Sequence, residues 1–213
     1  MFRSVDGKQF EDAIAACPAS PAFRRQFARF GPFRPWMDVQ AVIHDGALKV
    51  SGSFKVPGYC TLIVGDLDVD GVIDLRSDFD EGGLLVVIGN ATCRHFISEY
   101  ARYSFIDGDL AARDSIMNGF GDSGLSVIGS LRTRLFIGCD IWAEVGAGAV
   151  MDYGVGYCLP IGYTDAEAAA IEPRHDESET ARIVVPQPNE EGYLLNVEQF
   201  VDRIRAGQPI FKW

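Results

Sequence analysis

The chain has 213 residues, 47% of them hydrophobic and 23% charged, so it can bury a core and is not disordered by composition. Its net charge of −11 disfavours nucleic acid and anionic membrane as partners, and no apolar run approaches the length of a transmembrane helix. The N-terminus lacks the apolar stretch of a signal peptide, and the five cysteines form no CxxC pair. These features predict a cytoplasmic protein with reduced thiols, no metal and no cofactor.

Residues 1–38 predict an N-terminal helical cap. Apolar side chains recur at helical spacing in a first helix, at Phe10, Ala13, Ile14 and Cys17. A second helix begins after Ser20, with Pro21 at its first position, and it places three phenylalanines on one face. Residues 39–50 then alternate on both sides of Asp45-Gly46, which predicts a β-hairpin.

The aspartate-rich stretch 66–77 has the spacing of a calcium-binding EF-hand loop. Asp66, Asp68 and Asp70 occupy the first, third and fifth loop positions. However, the last position holds Ser77 where an EF-hand needs a glutamate. The preceding residues also predict a strand, whereas an EF-hand loop follows a helix. The stretch therefore favours another explanation.

That explanation is an internal repeat. Four segments align on a glycine, and a weaker copy is anchored at Gly52; the four strong anchors are Gly65, Gly89, Gly108 and Gly129. Relative to each strong anchor, small or apolar residues occupy positions −2, +2 and +4, and a short polar residue follows at +1. Isoleucine lies at +8 in every strong copy, and these residues predict an apolar ladder inside the fold: Ile73, Ile97, Ile116 and Ile137.

The repeat predicts a mainly β protein, a small parallel β-solenoid (β-helix) of about five coils over residues 39–163, because single coils bury their apolar faces only by stacking. Two N-terminal helices and a C-terminal helix pack on it as caps. Position +5 predicts an outward column of Arg94, Arg113 and Arg134 with His95 as an adjacent strand residue. This column could hold an anion, although solvated arginines paired with acids such as Asp114 are the favoured interpretation.

The spacing between repeats varies because extra residues occur at 74–83, 98–103 and 118–124. In a solenoid such insertions emerge on one side, which is often the binding side. The acidic composition of this side predicts a basic partner protein. Seven residues are the candidates for partner binding: Asp74, Asp78, Asp80, Glu81, Glu99, Tyr100 and Asp122.

Residues 164–213 predict a helical and linker segment that docks on the solenoid. Before it, the glycine-rich residues 146–156 are more typical of a tight irregular loop than of a phosphate-binding loop. The segment itself predicts a short helix ended by Pro173, a mobile charged linker from Arg174 to Thr180 and a strand over 181–187. A final helix begins after Asn196 and has a clear apolar face: Val197, Phe200, Val201 and Ile204.

No sequence motif of a hydrolase, metalloprotease or nucleotide-binding enzyme is present, which favours a binding protein. Paired acids such as Asp78 and Asp80 keep a third interpretation open, that of a carbohydrate- or acyl-modifying β-helix enzyme.

The segments "LIVGDLDVDGVIDL" and "GDLAARDSI" resemble the Gly-Asp-Leu coils of bacterial polymer-forming proteins such as the bactofilins. Together with the terminal "AGQPIF", they resemble more closely a group of bacterial solenoid proteins associated with contact-dependent toxin systems. The closer resemblance implies an immunity protein, a monomer or small homo-oligomer that binds and occludes a toxin. The bactofilin resemblance implies instead a scaffold that self-assembles, although the variable coils and flanking helices argue against end-to-end polymerisation.

Overall fold

The computed structural model describes residues 1–30, 41–75, 82–99, 102–118, 123–139, 141–156, 158–162, 171–186 and 197–213. These residues form a parallel β-solenoid of about six turns with four flanking helices. The mainly β solenoid predicted from the repeat is therefore confirmed, with one more turn than expected.

Each turn contributes strands to two sheets that face each other. Sheet A contains β1 (Arg3–Val5), β2 (Ala41–Asp45), β5 (Cys60–Val64), β8 (Leu84–Ile88), β10 (Tyr103–Ile106), β12 (Ser123–Val127), β14 (Ile141–Val145) and β16 (Ile161–Gly162). Sheet B contains β3 (Leu48–Val50), β4 (Phe54–Lys55), β6 (Leu67–Val69), β7 (Val72–Asp74), β9 (Ala91–Ser98), β11 (Leu110–Asn118), β13 (Leu131–Gly138) and β15 (Ala149–Val155). All strand pairs are parallel except β1–β2, and the main core fills the space between the sheets.

Two segments that were predicted differently belong to turns of the solenoid, and the second of them forms the additional turn. Residues 39–50 do not form a hairpin, because β2 and β3 pair with different sheets and Gly46 is the turn glycine next to Gly65. Alternation on both sides of Asp-Gly is equally compatible with a strand, a bend and a second strand of one coil. Gly52 is consequently not an anchor but the neighbour of Gly71. Residues 146–156 contain β15 rather than an irregular loop.

The short polar residue after each anchor glycine links one coil to the next. The Oδ1 atom of Asp66 accepts a hydrogen bond from the backbone N–H of Asn90 at 2.7 Å, and Asn90 does the same for Asp109 at 2.9 Å. Asp109 in turn accepts from the N–H of Ser130 at 2.7 Å. Stacking therefore directs these side chains to backbone N–H groups of the neighbouring turn. Asp66 of the EF-hand-like stretch is thus a member of a coil-to-coil ladder.

The predicted ladder of isoleucines divides between two environments. Ile73 and Ile116 lie inside the solenoid, in register with Phe96 and next to Phe136. The other two, Ile97 and Ile137, point outward and pack with the C-terminal helices. The prediction was wrong for this pair because the coils of Ile73 and Ile116 each have one residue more than β9 and β13. The extra residue lies between Asp68 and Val72 in one coil and between Ala112 and Ser115 in the other. One extra residue exchanges the inner and outer faces of a strand.

The helices lie on the outer faces of the sheets. The first pair, α1 (Gly7–Ala16) and α2 (Pro21–Phe30), covers sheet A with Phe10 and Phe23 fully buried. Asp6 caps α1 in a capping box with Gln9. The C-terminal pair, α3 (Glu177–Ile183) and α4 (Val197–Arg205), shares a third apolar cluster with the outward residues of sheet B.

The C-terminal segment differs from its prediction. Residues 177–180 belong to α3, capped by Asp176, so the mobile linker prediction was wrong there. The strand predicted over 181–187 reduces to one bridge between Val184 and Phe211, because residues 181–183 continue α3. The many charged residues of this segment suggested a solvated linker. The helix forms because Asp176 caps its first turn and because Thr180 and Ile183 are buried. The helix predicted before Pro173 lies mostly outside the described residues.

Candidate functional site

The three insertions begin and end side by side. Their first flanks lie on neighbouring positions of sheet B, since Asp74 pairs with Ile97 and Ser98 pairs with Asn118. Their second flanks lie on neighbouring strands of sheet A, where Tyr103 pairs with Leu84 and with Gly124. We call this edge, formed by residues 74–83, 98–103 and 118–124, the insertion corner. The prediction that the insertions share one side is confirmed for their flanking strands.

Two of the seven predicted contact residues are described, and both face the C-terminal helix. Asp74 accepts two hydrogen bonds from Arg205, Nε–Oδ2 at 2.8 Å and Nη2–Oδ1 at 2.9 Å. Glu99 is 4% exposed and lies 3.4 Å from the Nη2 of the same guanidinium. These two acids therefore stabilise the docking of α4, and contact with a partner stays a prediction for them. The other five lie outside the described residues: Asp78, Asp80, Glu81, Tyr100 and Asp122.

A second surface emerges on the outer face of sheet B. A groove of about 550 Å³ is lined by four arginines, which we call the arginine groove: Arg113, Arg132, Arg134 and Arg174. Among its described lining residues the one acid is Asp152, which pairs with Arg174 at 3.0 Å. The less polar part of the lining includes Thr92, Ala111 and Val150. Thr92 and Ala111 are neighbours in the strand register, and Arg132 separates Ala111 from Val150.

Different elements position these arginines. Arg132 lies in register between Ala111 and Val150 on the neighbouring strands. Arg134 stacks on Phe211, with 3.8 Å from its guanidinium carbon to the ring centroid. Arg174 reaches the groove because its backbone N–H donates to the carbonyl of Met151 at 3.0 Å, which places it beside the last coil.

The predicted arginine column is only partly present. Arg94 turns away to Asp114, with 2.6 Å between Nε and Oδ2, so the interpretation that it pairs with this acid is confirmed. Arg113 lies at the irregularity of β11, and Arg132 replaces Arg94 in the cationic lining. The repeat itself could have identified Arg132. It lies at position +3, and positions +3 and +5 point to the same outward side of a strand. No repeat signal identifies Arg174, which lies outside the coils.

Ser115, His95 and Asp114 form a group with the residue types of a hydrolytic triad. Nδ1 of His95 lies 2.8 Å from Oγ of Ser115, and its Nε2 lies 3.7 Å from Asp114. Ser115 has no exposed surface, so a substrate cannot reach its hydroxyl in this conformation. Burial lowers the pKa of His95 to about 4, with Asp114 opposing this shift and Arg94 and Arg113 adding to it. The geometry therefore supports a structural hydrogen bond between coils.

The thiols of Cys60 and Cys93 are also unsuited to nucleophilic chemistry. Burial raises the pKa of Cys60 to about 12 and that of Cys93 further, so both are protonated near neutral pH. In the described part of the chain, no three His, Cys, Asp or Glu side chains are grouped to hold a metal ion. Every helix within the described ranges is too short or too polar to span a bilayer.

Comparison of the chain with family models, with curated proteins and with solved structures finds no match.

Proposed function

We propose that the protein is a non-enzymatic binding protein, and in its most specific form an immunity protein that neutralises a bacterial toxin by binding and occluding it. The insertion corner is the proposed contact surface, and the proposed partner is a basic protein domain. The observation that carries the proposal is the adjacency of the insertion flanks on successive coils. Variable segments on one edge of a rigid repeat scaffold are a common location of binding residues.

The charge distribution supports a basic partner. The chain carries 30 acidic and 19 basic residues. The 74–83 insertion alone contains four acids, including Asp74, and a single arginine. A negative edge accelerates encounter with a basic surface through long-range attraction, and occlusion then needs only stable contact. The burial of Ser115, Cys60 and Cys93 supports a non-enzymatic role.

Affinity capture from the native bacterium tests the proposal. The bait is the full chain, and the control bait carries Asp78→Asn, Asp80→Asn and Glu81→Gln. A single stoichiometric basic protein that the wild-type chain retains better than the control would support the proposal. An acidic partner, or equal retention by both baits, would contradict the assignment of the insertion corner.

A self-assembling scaffold of the bactofilin kind is the second candidate, and two contacts weigh against it. β1 pairs antiparallel with β2 and so covers the first strand of the parallel part of sheet A. At the other end, Arg174 and His175 donate backbone hydrogen bonds to Met151 and Asp152 of β15. Covered edges oppose strand addition from another copy. Sedimentation at micromolar concentration distinguishes the candidates, because a scaffold forms large assemblies and the proposed binder stays a monomer or small oligomer.

A further inference from the structure

The arginine groove occupies a part of sheet B that no described helix covers. α1 and α2 pack on sheet A, and α3 and α4 pack on the later residues of the sheet B strands, such as Ile97 and Ile137. The earlier residues of the same strands, including Thr92, Arg132 and Val150, line the groove instead. Val150 is 37% exposed there, so the groove offers an apolar contact among the cations.

The cations of the groove are only partly neutralised by the protein. Arg132 forms no ion pair with any described residue, and Arg113 lies 3.7 Å from Asp114 with 69% of its side chain exposed. Arg134 donates to the backbone oxygen of Trp213 at 3.4 Å while it stacks on Phe211. Arginine pairs well with phosphate because its planar fork donates two parallel hydrogen bonds.

The strand geometry spaces the arginines for more than one anionic group. Arg132 and Arg134 are two residues apart on β13, which separates their Cα atoms by about 7 Å. Arg113 lies on the neighbouring strand, one inter-strand spacing of about 4.8 Å away. Guanidinium groups that arise from such positions can contact two phosphates of one small molecule. The groove volume of about 550 Å³ lies within the range of small-molecule sites.

We propose that the arginine groove binds a small ligand that carries two phosphate groups. The distribution of charge limits the size of this ligand. The described lining has four arginines and one aspartate, a net +3, whereas the whole chain carries −11, so the remainder carries −14. A long polyanion such as a nucleic acid extends past the groove into this negative surface and is repelled, whereas a bisphosphate fits within the cationic lining.

Titration calorimetry of the full chain tests this site, with inorganic pyrophosphate and fructose 1,6-bisphosphate as probes. Arg132→Gln is the informative variant because Arg132 is exposed and forms no described ion pair. Arg25→Gln is the matched control, an exposed arginine on α2. We expect binding that weakens about tenfold in R132Q and is unchanged in R25Q. We also expect inorganic phosphate to bind about tenfold more weakly than pyrophosphate.

Three results overturn the inference. They are no heat of binding with either bisphosphate at millimolar concentration, equal weakening in R132Q and R25Q, and tighter binding of a single-stranded oligonucleotide or polyglutamate than of pyrophosphate. Because no toxin is needed for the titration, this outcome is independent of the proposed immunity function.

Discussion

Arg205 of α4 forms a two-point ion pair with Asp74 of β7, across 131 positions of the chain. The side chains are 24% and 18% exposed, and Glu99 extends the contact as a second acid. This pair fixes the C-terminal helix to the coil from which the first insertion leaves. The orientation of α4 and the electrostatics of the insertion corner are therefore linked.

Replacement of Arg205 by glutamine is expected to lower the free energy of unfolding by about 2 kcal/mol, because two largely buried acids lose their guanidinium partner. Urea unfolding of R205Q and of R25Q, the surface control, measures the difference. Equal stability of the two variants would show that the ion pair is not what holds α4 in place.

The close stacking of the turn glycines is expected to make their replacement destabilising. A Cβ atom on Gly129 lies 2.7 Å from the carbonyl oxygen of Gly108 in the preceding coil, whereas a Cβ atom on Gly162 has open space. Gly129→Ala is therefore expected to destabilise the fold by about 2 kcal/mol or more, since the backbone of the neighbouring coil must shift. Thermal unfolding of G129A and G162A checks this, and G162A is expected to resemble the wild type. A stable G129A variant would contradict the close stacking of coils.

Stability is expected to fall on acidification because of His95. Its pKa is about 4 in the folded protein, below its ordinary value of 6.5, so the unfolded chain binds more protons between these two pH values. The contribution is fully present above pH 6.5 and is lost as the pH falls towards 4. It amounts to about 2 kcal/mol between neutral pH and about pH 5.

Urea unfolding at neutral pH and near pH 5 measures this effect in the wild type, in His95→Asn and in the control His175→Asn. H95N is expected to lose that part of the pH dependence, and H175N is expected to retain it because His95 is unchanged. The same pH slope in H95N as in the wild type would assign the effect to other groups.

The negative charge of the insertion corner is expected to affect the association rate with a partner protein. Neutralisation of Asp78, Asp80 and Glu81 is expected to slow association with a basic partner about tenfold at low salt and to reduce its salt dependence. The control removes the same charge elsewhere, through Asp12→Asn, Glu172→Gln and Glu177→Gln. Stopped-flow association rates at two salt concentrations provide the measurement. Equal rates for the two triple variants would place the contact surface outside the insertion corner.

Periodicity predicted the solenoid and the two N-terminal helices because both are encoded by local spacing. It did not predict which isoleucines lie inside, since the irregularity after Ala112 changes the register by one residue. It assigned Asp45-Gly46 to a hairpin because a bend within a coil and a hairpin turn have the same local sequence. The pairing of Asp74 and Glu99 with Arg205 was also not predicted, because the partners come from distant segments.

The sequence by itself determined that anchor glycines, short polar residues and alternating apolar positions stack into coils, because a coil buries its face only against an equivalent coil. It also determined the acidity of the insertions. Only the tertiary structure decided which sheet faces the helices cover and which arginines share a groove. Those outcomes depend on one-residue changes in register and on Arg174 and Phe211, which join the solenoid from outside the repeat.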